Sequence, residues 1–158
     1  MDDAKLKKAK ETFATVCRAL DNNGWNYDAD EAELRITSGF KGETFSLRII
    51  IVVDAKRQVL SFLYPLPFSI SEDKRLDVAS ALCIANNFLV HGHFDFKVTE
   101  DQVFFRMPNS FMESTLGEEA VIYMLIAGCR TMDEYADKLM MLNKGYIDLT
   151  KFIEMENE

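Results

Sequence analysis

Thr44-Phe45-Ser46-Leu47-Arg48-Ile49-Ile50-Ile51-Val52-Val53, then the polar turn Asp54-Ala55-Lys56-Arg57, then Gln58-Val59-Leu60-Ser61-Phe62-Leu63-Tyr64, reads as two strands of an antiparallel meander. In the first strand Phe45, Leu47, Ile49, Ile51 and Val53 share one face, because successive strand side chains point to opposite sides. The other face starts polar, with Thr44, Ser46 and Arg48, and turns apolar at Ile50 and Val52. The second strand sets Leu60, Phe62 and Tyr64 against Val59 and Leu63.

Working outward, Glu33 to Phe40 alternates as a preceding strand, with Lys41-Gly42 as its turn. Upstream, Leu6, Ala9, Phe13, Val16, Cys17 and Leu20 recur every three or four positions and predict a helix over about residues 4–20. Asp2 or Asp3 is its expected cap, and Asn22-Asn23-Gly24 its stop. Trp25 opens an extended segment.

Downstream, Pro65-Leu66-Pro67 stops the sheet, and Ser71 with Glu72 and Asp73 predicts the start of a second helix running to about Val90. Two strands follow, Phe94 to Val98 and Gln102 to Met107, broken by Pro108-Asn109-Ser110. Thr115 and Glu118 form an expected capping box for a third helix roughly 40 Å long, ending near Gly145. A short amphipathic segment, Leu149 to Met155, closes the chain. The expected class is α+β: one domain over residues 1–158, a five-stranded antiparallel sheet, and the order α-β-β-β-α-β-β-α.

The chain's 158 residues are 48% hydrophobic with 12 Phe, enough for a real core. Its 18 Lys plus Arg stand against 26 Asp plus Glu, a net charge of −8, which repels phosphate backbones and anionic lipid and argues against nucleic acid. Lys5, Lys7, Lys8 and Lys10 read as the solvated face of the first helix. The N-terminus lacks the apolar core of a signal peptide, and the longest apolar run, Ala120 to Cys129, is half of what a membrane span needs. Cys17, Cys83 and Cys129 sit far apart in apolar stretches and read as small core hydrophobes, so the expected location is the cytoplasm.

No catalytic residue, metal site or cofactor is expected. The only histidines are His91 and His93, with no further ligand at metal spacing and no nucleophile elbow beside them. The glycines form no phosphate loop.

Two features point instead to binding. In the second helix Leu76, Val78, Ala79, Ala81, Leu82, Cys83, Ile84, Ala85, Phe88, Leu89 and Val90 cover more than half the circumference, wider than the stripe one sheet face requires. Asn86 lies within that arc, and its amide is expected to tie the helix end to strand backbone. In the sheet, Ile50, Val52, Leu60, Phe62, Tyr64 and Phe104 are assigned to the face opposite the main alternation, so both faces want cover. The candidate protein-binding residues are therefore Ile50, Val52, Leu60, Phe62 and Tyr64 on the sheet and Val78, Ala81, Ile84 and Phe88 on the helix.

The element order resembles type III secretion chaperones. Leu66-Pro67-Phe68-Ser69-Ile70-Ser71-Glu72-Asp73-Lys74-Arg75, then Ala85-Asn86-Asn87, Gly92-His93-Phe94-Asp95-Phe96 and Val103-Phe104-Phe105-Arg106, make residues 25–142 similar to the YbjN family of bacterial regulators. The resemblance implies a dimeric, cytoplasmic, non-catalytic module that binds a protein or peptide segment, with Asn86 and Arg106 structural. The alternative it leaves is a small-molecule sensor with a pocket lined by Phe94, Phe105 and Asn86. The segment after Gly145 has no counterpart in the family pattern.

Overall fold

A computed structural model describes residues 3–158. The elements are α1 (Asp3–Asn22), β1 (Tyr27–Asp30), β2 (Arg35–Lys41), β3 (Ser46–Asp54), β4 (Val59–Pro65), α2 (Arg75–Phe88, entered through a 3-10 turn at Glu72–Lys74), β5 (His93–Lys97), β6 (Gln102–Ser110), α3 (Glu118–Asn143) and α4 (Leu149–Glu156). Every strand pairs antiparallel, in the order β1-β2-β3-β4-β6-β5. The sheet has six strands where five were expected. The extra one is β1, the extended segment after Trp25, whose Tyr27 to Asp30 pair with Ser38 to Arg35.

Register decides which side chains meet the helices. Ile51 faces Phe62 and Val53 faces Leu60, while Ile36 faces Ile51, and Phe105 lies opposite both Tyr64 and Phe94. These residues share one face and form, with the inner stripes of the helices, a single core. Leu60, Phe62 and Tyr64 are thus fully buried against the helices, correcting their expected place on the outer face. The physical reason is hairpin parity: β3 and β4 close with Asp54 opposite Val59, so odd-numbered β3 residues share a face with even-numbered β4 residues.

Tyr64 sits at the centre of this arrangement. Its hydroxyl donates to the carbonyls of Met124 and Leu125 at 3.0 and 3.1 Å, and a side-chain carbon at Gly128 would lie 2.2 Å from its ring. Gly128 therefore lets α3 lie directly on the sheet. Above it, Phe94 stacks between Phe105 and Tyr135 at 5.0 and 5.1 Å between ring centres. Backbone of the β2–β3 turn is fastened to α3 by Asp133, which accepts from the Glu43 N–H at 2.9 Å.

Several boundaries depart from the sequence reading. Asp3 lies inside α1 rather than capping it, and Asp2 lies outside the described residues. Gly24 stops α1 at φ +70°, as expected. Ser71 occupies the cap position but makes no side-chain cap bond; its own N–H donates to Asn143 Oδ1 at 2.8 Å. α3 starts behind Gly117 rather than at a Thr115 capping box, because the Glu118 carboxylate is engaged by Arg18 and Asn22 of α1.

The last strand also runs through Pro108 to Ser110 rather than breaking there. The Phe94 N–H points out of the sheet to Asn86, so alternation turns the Pro108 nitrogen toward the side where β5 has already ended. No ladder bond is lost.

Gly128→Ala is expected to destabilise the chain by about 1–3 kcal/mol, as overpacking against an immobile ring does. Urea unfolding, with Tyr64→Phe as the milder companion at about 1 kcal/mol for its hydrogen bond, measures both.

Candidate protein-binding surface

The reverse face of the sheet carries, strand by strand, Arg35, Thr37 and Gly39 on β2, Val52, Ile50 and Arg48 on β3, Ser61, Leu63 and Pro65 on β4, Pro108, Arg106 and Phe104 on β6, and His93 and Asp95 on β5. Ile50 lies opposite Leu63 near its middle. Ile50 is 8% exposed, sheltered by its cross-strand neighbours, yet belongs to no part of the core, and Val52, Leu63 and Phe104 are half-buried and equally separate from it. The result is an apolar strip on an uncovered sheet face.

Its charges are arranged in two groups. On β5 and β6, Asp95 holds Arg106 at 2.7 Å and reaches His93 at 3.3 Å, and Lys97 lies 5.4 Å from the centre of the Phe104 ring. On β2 and β3, Arg35 stands across from Val52 and Arg48 follows two residues before Ile50. Among the described residues neither the Arg35 nor the Arg48 guanidinium has an ion-pair or hydrogen-bond partner, although the chain carries net charge −8. Two unengaged guanidinium groups therefore border the apolar strip.

The second surface is the outer side of α2. Val78, Ala81, Leu82 and Ala85 face the core, and Ile84 is half-buried. Leu76 is 83% exposed, and Ala79, Ser80, Cys83 and Asn87 continue the same uncharged stripe outward, with Phe88 at its flank 48% exposed. Cys83 is thus a surface thiol and not the core residue its apolar surroundings suggested, because its position on the helix turns it away from the sheet. Cys17 is half-buried, and Cys129 is buried, its thiol pushed up to about 12 by burial and by Asp133.

The sequence candidates accordingly separate. Ile50 and Val52 lie on the open face, Leu60, Phe62, Tyr64, Val78 and Ala81 are core, and Ile84 and Phe88 belong to the flank of α2. Leu63, Arg35 and Arg48 complete the open face and were not singled out. The even-length turn Asp54 to Arg57 carried the signal, since it already imposes the parity that puts Leu63 beside Ile50.

Two polar locks frame these surfaces. Asn86 behaves as a one-residue strand: its Oδ1 accepts from the Phe94 N–H at 2.7 Å and its Nδ2 donates to the Phe94 carbonyl at 3.2 Å. The amide closes part of the β5 edge, as expected. At the other end of α2, Arg75 grips Asp101 through Nε–Oδ1 at 2.6 Å and Nη2–Oδ2 at 2.9 Å, in the turn where Asp101 adopts φ +53°. The Arg75 guanidinium bonded to Asp101 holds that carboxyl below its usual range. Among the described residues no group of three or more His, Cys, Asp or Glu is gathered as a metal site would be, and no helix is long and apolar enough to cross a membrane.

The sequence pattern of the YbjN family, described as "Putative bacterial sensory transduction regulator", matches residues 12–140. No curated protein sequence matches the chain. Among solved structures, the chaperone–effector complex of HopA1 with SchA superposes with a TM-score of 0.58 at 11% identity, covering 87% of this chain and 98% of that one. The YbjN structure from E. coli gives 0.58 at 11% identity over 77% of this chain and 86% of that one, and the ExsC–ExsE complex 0.59 at 11% over 82% and 93%. The type III secretion chaperone-like fold is therefore shared.

Asn86→Ala is expected to cost about 1–3 kcal/mol, because it leaves the Phe94 N–H and carbonyl without their partner. Hydrogen exchange at the Phe94 amide checks this directly and is expected to accelerate well beyond that of Phe105.

Proposed function

The chain belongs to the YbjN family, and on that premise we propose that it is a non-catalytic protein-binding module, a chaperone-like adaptor or regulator acting in the bacterial cytoplasm. The observation that carries this reading is the uncovered apolar strip of Ile50, Val52, Leu63 and Phe104 bordered by Arg35 and Arg48. Burying such a strip supplies affinity without direction, and the guanidinium groups supply register. The occupant that fits is a segment of another protein with apolar side chains flanked by carboxylates. Two of the similar structures are complexes of a chaperone with its effector or of two proteins, which supports a protein as the ligand.

The uncharged outer stripe of α2 is the proposed contact between two copies. Two chains of net charge −8 repel one another generally, and a face of Leu76, Ala79, Ser80, Cys83 and Asn87 lets them meet without apposing like charges. Its small central residues permit close approach of two helices. Three free thiols suit a reducing cytoplasm.

The small-molecule reading gains nothing here. The region where its pocket would lie is filled by the packed rings of Phe94, Phe105 and Tyr135, and the Asn86 amide is already spent on backbone.

A photo-reactive residue at Leu63, introduced in bacterial cells, is expected to form adducts with another polypeptide, and one at the exposed Lys7 of α1 is not. Absence of adducts from Leu63, or equal yields from Lys7, would overturn the assignment. Light scattering is expected to return twice the 18.1 kDa chain mass, reduced to a single chain by Leu76→Asp; a wild-type mass of one chain would remove the dimer.

A further inference from the structure

The family match ends at residue 140, and α4 lies beyond it. Yet α4 is not loosely appended. Phe152 is fully buried and part of the core, and Ile147 and Leu149 pack against that core from one side. The Glu156 carboxylate, with 4% of its side chain exposed, accepts from the Tyr135 hydroxyl and, at 2.9 Å, from Lys138 Nζ. Lys138 lies 4.9 Å from the centre of the Tyr135 ring and also engages Glu134 at 2.9 Å. Burial lowers the Lys138 pKa, but the bonds to Glu156 and Glu134 outweigh it and leave the pKa raised, so the ammonium is a fixed cation in this cleft.

The walls and the occupant have different standing. α2, Tyr135 and Lys138 all fall within the family match, whereas Phe152 and Glu156 fall outside it. A helix of eight residues does not hold itself together in water, so α4 is helical because the cleft supplies its packing and its counter-charge. Its outward positions Thr150, Lys151 and Glu154 remain solvated.

We propose that this cleft beside α2 and α3 is a second docking site, built for an amphipathic helical segment of a partner protein with an aromatic residue and a carboxylate four positions later, and that α4 occupies it in cis. The site is independent of the open sheet face, since its walls lie on the helical side. Helices docked in grooves are read through anchors at such spacings, and here the anchors are the Phe152 slot and the Lys138–Tyr135 pair. Because α4 is tethered by the short connector 144–148, its effective concentration is on the order of millimolar, so a free partner competes only by binding well or by acting when α4 is unlatched.

The test uses full-length chains and a fluorescent synthetic peptide of residues 147–158 as the probe. Phe152→Ser and, separately, Glu156→Lys unlatch α4, the first by emptying the slot and the second by opposing Lys138. Each variant is expected to bind the peptide at least about tenfold more tightly than the wild type does, one per chain, the suppression that a tethered competitor imposes. A peptide carrying Phe152→Ala is expected to lose that binding. Should Phe152→Ser fail to fold, Glu156→Lys decides alone. Equal peptide binding by the wild type and by folded variants, or none to either, overturns the proposal.

Discussion

Tyr64 against Gly128 is the contact on which the layering depends. A side chain at position 128 would collide with the ring, and the Tyr64 hydroxyl would then lose the two α3 carbonyls that satisfy it in a dry environment. With that approach allowed, α3 lies across the centre of the sheet, and α1 and α2 pack beside it into the same core. All the burial the helices can offer goes to one face. Six strands have two faces, so the reverse one is left to the solvent or to another molecule.

That constraint explains what the open face looks like. Were it ordinary solvent-facing sheet, Ile50, Val52, Leu63 and Phe104 would alternate with the core residues as polar side chains do in most one-sided sheets. They are apolar instead, and Arg35 and Arg48 beside them are left unengaged on a chain rich in carboxylates. Exposed apolar strips invite unwanted pairing at sheet edges, and both edges are guarded. β1 is four residues long with Asp28 and Asp30 on it, and β5 carries the Asn86 amide in place of a neighbouring strand. Access is thereby confined to the face.

Much of this was legible in the sequence, because period and punctuation are local. The three helices, the β3–β4 hairpin, the stop at Gly24 and the backbone role of Asn86 all follow from residues within a few positions of one another. What was not legible depends on distant partners. β1 has one apolar aromatic in four residues, and it is a strand only because β2 offers a ladder. Thr115 carries cap chemistry, but Arg18 and Asn22 on another helix claim the Glu118 carboxylate that its capping box would use, and Ser71 is held through its backbone N–H by Asn143 with no cap bond from its hydroxyl. The candidate surface was half legible for a different reason: the pattern in β4 was read correctly while its face was not. Leu60, Phe62 and Tyr64 moved into the core with one shift of parity, and Leu63 moved out. Cys83 shows the same limit on a helix, where an apolar neighbourhood in sequence is not burial in space.

The open sheet face is the proposed seat of another protein. Methyl NMR with a soluble paramagnetic agent reads this residue by residue, in the free chain and then with a polypeptide identified through the Leu63 adducts. Strong broadening of the Val52 and Leu63 methyls is expected in the free chain, with none at Leu60 or Ile51, and protection of Val52 and Leu63 once the partner is bound. Val52 and Leu63 as sheltered as Leu60 in the free chain, or unchanged on adding the partner, would contradict it.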